Sequence, residues 1–324
     1  MKRRYKKKKE PLWARVANWC ITLALAGVMI YGLQCYSDSS LKFVQLSDVH
    51  FASNGQNTTF KMTGESPKLL QDAVNQVNEM SGVNFVMFTG DQINTPYEKE
   101  LEAFMPYAEK LNVPWYITIG NHDRCVGGFL NKKLYLDIVR AHNENFKFEK
   151  PYYSFVPQKG YKVIVLDTIP MDRLTSNGEI PKEELTWLDE QLEKSQKDTV
   201  LIFMHVPIIE PFPSSGHKLL NAGEVQATIE KYKNPIGVFQ GHYHASKITQ
   251  RGNVLYVSSP ALVSYPNAFR VVTVSNTWHK VIFDVKTVET REKTVQKLAK
   301  LLVFGSNVYS GDAKDQNGVY EIKK

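Results

Sequence analysis

The chain has 324 residues and a formal net charge of +7, from 40 Lys and Arg against 33 Asp and Glu, with 43% hydrophobic and 23% charged residues. This is a globular composition, neither disordered nor collagenous. The whole excess lies in residues 1–15, where Lys2, Arg3, Arg4, Lys6, Lys7, Lys8, Lys9 and Arg15 face one acid, Glu10. The rest is balanced, which excludes a body that binds a phosphate backbone by charge, and no nucleic-acid binding is expected through the basic N-terminus.

Val16 to Ser37 follows as 22 residues without a formal charge, mostly apolar between Trp19 and Leu33. About 20 such residues cross the hydrocarbon core of a bilayer. Lys and Arg on one flank and Asp38 on the other predict a cytoplasmic N-terminus. Trp13, Trp19, Tyr31 and Tyr36 stand near the two ends, where aromatic rings favour the headgroup layer. The expectation is a basic cytoplasmic segment over 1–15, an uncleaved transmembrane signal anchor over 16–37, and residues 38–324 outside the cytoplasm. A cleaved signal peptide and a buried soluble helix are the competing readings. Against cleavage, Ala24-Leu25-Ala26 lies inside the apolar run, and Gln34 stands where the lipoprotein-like box Gly32-Leu33-Gln34-Cys35 would need a small residue. Cys20 and Cys35 fall in this segment, so Cys125 is alone in the exported part and has no partner for an intradomain disulfide.

Short apolar, β-branched runs then recur: Lys42–Leu46, Asn84–Thr89, Trp115–Ile119, Tyr152–Val156, Lys162–Leu166, Val200–Met204, Ile236–Gln240, Val254–Val257, Arg270–Val274 and Lys280–Val285. Between the earlier runs, apolar residues three and four apart predict helices. The stripes are Leu69, Leu70, Ala73, Val74 and Val77; Leu101, Phe104, Met105 and Ala108; Leu130, Leu134 and Ile138; and Leu185, Leu188 and Leu192. Early strand–helix alternation and a strand-rich later part predict an α/β fold, a four-layer α/β/β/α sandwich of two mixed sheets preceded by one N-terminal transmembrane helix. The sandwich domain is placed at 38–288. Residues 289–324 read as an amphipathic helix over Thr290–Leu302 and a polar tail with one short strand at Val319–Ile322.

Five short motifs follow predicted strands: Asp48-Val49-His50, Gly90-Asp91, Gly120-Asn121-His122-Asp123, His205, and Gly241-His242-Tyr243-His244. The C-terminal ends of strands are where loops converge on ligand sites in α/β folds. The glycines before Asp91, Asn121 and His242 are expected to let the chain turn sharply while the next side chain points back across the strand ends. Alone, an Asp after a strand is a turn or cap, and a strand-end His is hydrogen-bonded core. Together, at intervals of 43, 30, 84 and 37 residues, they gather five of the eight histidines with carboxylates and an amide. Such mixed O/N donors suit borderline divalent metals.

In these blocks, taken in order, the chain resembles the calcineurin-like metallophosphoesterase superfamily over roughly residues 41–285. The stretches 178–192, 219–224 and 259–270 look most like its class III cyclic-nucleotide phosphodiesterase branch. The resemblance implies two divalent metal ions, drawn from Mn, Fe, Zn or Co. Asp48, His50, Asp91 and His244 would bind one, and Asp91, Asn121, His205 and His242 the other, with Asp91 bridging. It implies a phosphoester substrate, with phosphodiesters favoured over monoesters and lipid-linked phosphoesters, and a hydroxide nucleophile made from a bridging water. His122 would act near the leaving-group oxygen as general acid or hydrogen-bond donor. Asp123 reads either as its orienting partner or as a plain helix N-cap. A non-catalytic metal-binding scaffold of the same fold is the alternative, but every ligand position and His122 are filled. Among neighbouring residues, Arg124 reads as a surface residue, His217 in the 211–218 loop could reach substrate, the 54–66 loop could cover the site, His142 and His279 read as surface histidines, and Asp167 reads as structural.

Overall fold

The computed structural model describes residues 10–37, 39–124 and 129–324, so most of the basic block and Cys125 lie outside the described residues. The chain opens with helix α1 (Leu12–Ser37), followed at once by strand β1 (Ser39–Leu46). Helix α2 (Ser66–Glu79) buries its whole apolar stripe, Leu69, Leu70, Ala73, Val74 and Val77, and begins with a proline where no helical N–H is needed. Strand β2 (Phe85–Thr89), helix α3 (Glu98–Ala108), strand β3 (Trp115–Thr118) and helix α4 (Lys132–His142) follow. Helix α4 starts at Asn131, whose side chain accepts from Leu134 N at 2.9 Å.

The second half runs through β4 (Tyr153–Gln158), β5 (Tyr161–Val165), α5 (Lys182–Lys194), β6 (Thr199–Phe203), α6 (Ala222–Glu230), β7 (Ile236–Gln240), β8 (Lys247–Arg251) and β9 (Val254–Ser258). The chain ends with β10 (Ala268–Asn276), β11 (Lys280–Glu289), α7 (Lys293–Leu302), the short helices α8 (Ser306–Ser310) and α9 (Ala313–Gln316), and β12 (Gly318–Lys323).

Two mixed six-stranded sheets result, ordered β12-β11-β10-β1-β2-β3 and β4-β5-β6-β7-β9-β8. β1, β2 and β3 are mutually parallel in the first, and β5, β6, β7 and β9 in the second; the outer strands run antiparallel. Strands β2, β6, β7 and β9 are buried at every residue, which explains why they read as unbroken apolar runs. Rings link the two sheets: Phe43 of β1 lies edge-on to Phe203 of β6 at 5.2 Å and to Phe239 of β7 at 4.9 Å.

Four of these elements escaped the sequence reading: β8, α6 and the short helices α8 and α9. β8 is an edge strand (KITQR) whose one apolar residue, Ile248, offers no alternation to detect. α6 has only Val225 and Ile229 buried. The polar C-terminal segment is tied to the body by Arg270, a fully buried guanidinium. Arg270 donates to the carbonyls of Ser258 at 3.0 Å, Asp315 at 2.7 Å and Gln316 at 2.7 Å, and β12 pairs with β11 beyond it. The amphipathic helix starts at Lys293, three residues later than expected.

Candidate metal centre

Each of the five motif blocks follows a strand, β1, β2, β3, β6 or β7, and the strand ends converge. The turns are unusual. Asp48, His50, Asp91, His242 and His244 all have left-handed backbones, with φ of 52°, 44°, 52°, 71° and 55°. Non-glycine residues rarely adopt this region, and runs of such outliers mark functional sites. The glycines therefore serve partly for a reason other than the expected sharp turn. Gly90 does have φ 86°, but Gly120 is there for close approach: a Cβ on it would overlap the backbone N and Oδ1 of Asp91.

The side chains form two groups of buried donors that share one residue. Asp48, His50, Asp91 and His244 make one group able to hold a metal ion; Asp91, His205 and His242 make the other. Asp91 divides its carboxylate between them, with Oδ2 at 3.4 Å from His50 Nε2 and Oδ1 at 3.4 Å from His205 Nε2. His244 Nε2 stands 3.4 Å from Asp48 Oδ1 and 3.2 Å from His50 Nε2. Asn121 Oδ1 and His242 Nδ1 each lie 3.2 Å from His205 Nε2.

The donor set fits a pair of cations. Ligands bound at about 2.0–2.2 Å in tetrahedral or octahedral directions stand about 3–3.5 Å from one another, the spacing seen here. Outer partners orient the histidine rings and fix one tautomer. His205 Nδ1 faces the Thr89 carbonyl at 2.8 Å; a carbonyl only accepts, so Nδ1 carries the proton and the Nε2 lone pair turns inward. His244 Nδ1 meets Ser264 Oγ at 2.7 Å, which orients the ring; a hydroxyl both donates and accepts, so this contact leaves the tautomer open. The inward lone pair of His205 Nε2 faces the Asn121 carbonyl oxygen across 3.2 Å, and a positive charge between them relieves that contact. The carboxylates set the field a cation meets: burial alone would lower the His205 imidazole, yet Asp91 and Asp48 outweigh it and push it up to about 9, so a proton competes with a metal for Nε2. Burial would raise Asp91, but His205 and His122 hold its carboxyl well below the usual range.

His122 sits at the rim of this cluster. Its backbone N donates to Asp91 Oδ1 at 2.8 Å, and its Nδ1 faces the Asn94 carbonyl at 2.8 Å, which leaves Nε2 turned to the site. Asp123 does not orient it. The Asp123 carboxylate accepts from Gly120 N at 2.7 Å and Ile93 N at 3.0 Å, bracing the loops that carry Asp91 and Asn121. Burial and the nearby Asp91 charge push it up to about 7.

Sequence reasoning missed Lys61. It lies on the 54–66 loop expected to cover the site, and its Nζ is 3.3 Å from both His122 Nε2 and His50 Nδ1. No spacing rule finds a long side chain reaching in from a loop; only the loop's position pointed to it. His217 packs its ring 5.2 Å from that of His242, at the edge of the cluster. Arg124 is a correction: it is buried, not a surface residue, and donates to the carbonyls of Pro170, Met171 at 3.3 Å and Arg173 at 3.1 Å. Asp167 pairs with the buried Lys132. His142 lies between Glu102 at 3.1 Å and Glu109 at 2.7 Å, and His279 is exposed.

A shared carboxylate between two histidine-rich donor groups, set on loops after parallel strands, defines a dimetal phosphoesterase type of centre. The chain belongs to the calcineurin-like phosphoesterase family, whose model matches residues 41–246. It is similar to a probable glycerophosphodiester phosphodiesterase from Arcobacter nitrofigilis, 24% identical over 232 residues, covering 67% of this chain and 76% of that one. It is also similar to a probable cyclic nucleotide phosphodiesterase from Fibrobacter succinogenes, 24% identical over 271 residues and covering 79% and 95%. Among solved structures, the fold resembles a dimetal phosphatase from Danio rerio, with a TM-score of 0.59 at 17% identity and coverage of 77% and 99%. The protein is thus a metal-dependent phosphoric ester hydrolase whose cofactors are two divalent metal ions.

Proposed function

We propose that this protein is a membrane-anchored phosphodiesterase, with Asp48, His50, Asp91 and His244 holding one metal and Asp91, Asn121, His205 and His242 the other. The observation that carries the assignment is the Asp91 carboxylate, one oxygen turned to each group. When bound, the two ions supply Lewis-acid stabilisation of the phosphoryl oxygens and an activated water. The chain's own residues do the rest. His122, held through Nδ1 by Asn94, presents Nε2 to the leaving-group oxygen as proton donor. Lys61 brings an ammonium beside that nitrogen, where it meets a phosphate oxygen. Asp123 positions the Asn121 and Asp91 loops. The phosphodiester preference is supported by the names of the two bacterial relatives.

The same reading takes the scaffold as four layers, α/β/β/α, supported by the Phe43 contacts between the sheets. It takes α1 as a single membrane span with the N-terminus cytoplasmic. Supporting this, Leu12–Gly32 is 21 residues long with mean hydropathy 1.4, and none of its best window is buried. At about 1.5 Å per residue it matches the hydrocarbon core.

The test is the full-length protein in detergent, assayed on bis(p-nitrophenyl) phosphate, p-nitrophenyl phosphate and glycerophosphodiesters, with metal counted by elemental analysis. Two metals per chain and faster diester turnover are expected. Faster monoester turnover would move the substrate class to phosphomonoesters. Bound metal without hydrolysis of any ester would leave only the scaffold.

A further inference from the structure

The end of the domain remote from the metal centre has its own character. The centre lies on loops after the C-terminal ends of parallel strands, so the starts of those strands gather at the opposite end. There the chain passes from α1, ending at Ser37, into β1 at Ser39, a reach of about 7 Å. Ser39 is firmly held. It pairs with Asn276 of β10, and its carbonyl accepts from Tyr161 Oη at 2.7 Å. The turn between β10 and β11 therefore lies beside the exit of α1, and it carries Trp278, 56% exposed.

The same end is basic. Lys159 before β5, Lys197 before β6, Lys233 before β7, Arg251 at the end of β8 and Lys323 at the end of β12 are all exposed. Hydrogen bonds tie these loops into one surface: Thr199 N to the Gly160 carbonyl at 2.9 Å, Asn234 Nδ2 to that of Asp198 at 2.8 Å, and Asn253 Nδ2 to that of Asn234 at 2.6 Å. The carboxylates here are already engaged or partly covered. Glu321 pairs with Lys280 at 2.5 Å, Glu193 accepts from Gln196 at 2.8 Å, and Asp198 is half-buried.

We propose that this basic, tryptophan-bearing end rests on the anionic phospholipid headgroups of the bilayer that α1 crosses. This rests on the anchored reading above. The last helical residues after Gly32 add about 7 Å beyond the apolar span, the depth of one headgroup layer, so Ser39 emerges at its outer edge. Tryptophan and Lys/Arg side chains are the groups that favour that layer, each basic residue contributing to attraction by anionic lipid. The nine residue steps from Ser39 to Asp48, at about 3.3 Å each, then place the metal centre about 30 Å from the lipid surface, facing away from it. The substrate that fits this placement is a phosphoester arriving through the aqueous phase, not a headgroup of the same bilayer.

The test uses the full-length protein in phosphatidylcholine vesicles with and without phosphatidylglycerol, containing lipids that carry a quencher near the headgroup. The emission difference between wild type and Trp278→Phe isolates Trp278, while the remaining emission includes Trp13 and Trp19 of α1. Loss of Trp278 emission in the anionic vesicles, reduced by added salt and by the Lys197→Glu/Lys233→Glu/Lys323→Glu variant, is expected. Unquenched Trp278 with quenched α1 tryptophans would overturn the resting face and leave the anchor standing. Failure to quench either set would remove the anchor, and the resting face with it.

Discussion

Lys61 Nζ stands 3.3 Å from His122 Nε2, so the one ammonium that reaches the centre from the 54–66 loop adjoins the nitrogen proposed to serve the leaving group. The two cannot be substitutes for each other. In the proposed mechanism Lys61 meets a phosphate oxygen, although burial lowers its pKa from the ordinary lysine value, and His122 serves the leaving group.

Replacing Lys61 with Met removes the charge and keeps the length of the side chain. A charge-assisted hydrogen bond contributes about 1.5–3 kcal/mol, so kcat/KM should fall about 10- to 100-fold, mostly through KM. Steady-state kinetics on a diester decide this, and an unchanged KM would remove Lys61 from substrate binding.

His122→Asn should keep both metals, because His122 turns its Nδ1 to Asn94 and lies outside both donor groups. Loss of a general acid lowers turnover by about 10²–10⁴-fold. A substrate with a good leaving group, such as a p-nitrophenyl ester, should lose less than a glycerol diester, since it needs less help from a proton. Equal losses on both would point to a positional effect.

Gly90→Ala should disturb the centre without replacing any proposed ligand. The new Cβ would overlap the His205 ring, whose Nδ1, Cγ and Cβ all lie within 3.0 Å of where it would sit, at a backbone φ of 86°. Overpacking costs about 1–3 kcal/mol and the left-handed backbone about 1 kcal/mol more. Lower metal content together with a lower melting temperature is expected; full metal content would show that the loop yields.

Arg270→Met probes the fold apart from the site. Its guanidinium donates to three carbonyls and to Thr287 Oγ1 at 2.6 Å, and burial lowers its pKa to about 10. Each buried carbonyl left without a donor should destabilise by about 1–3 kcal/mol. Chemical denaturation measures it, and limited proteolysis should cut first in residues 306–324.

The five motif blocks were legible because each combines an apolar run with polar residues that no core would accept, and the runs mark where the strands end. The fold class followed from the same alternation. What was not legible is carried by backbone and by distance. Nothing in the letters of Asp48 or His244 announces a left-handed φ. Arg124 reads as a surface residue from its charge, yet three carbonyls of the 170–173 segment bury it. Asp123 adjoins His122 in sequence, but its carboxylate turns to Gly120 and Ile93, and a carbonyl 28 residues earlier takes the orienting role.

The left-handed backbones at Asp48, His50, Asp91, His242 and His244 have a consequence for the living cell. At about 1 kcal/mol each, they hold roughly 5 kcal/mol of strain, comparable with the net stability of a whole domain. On the proposed ligand set, cations held by the five side chains would offset that strain, and a chain synthesised without them would lack the offset. Its abundance should therefore track metal supply, because quality-control proteases remove the loosened fraction.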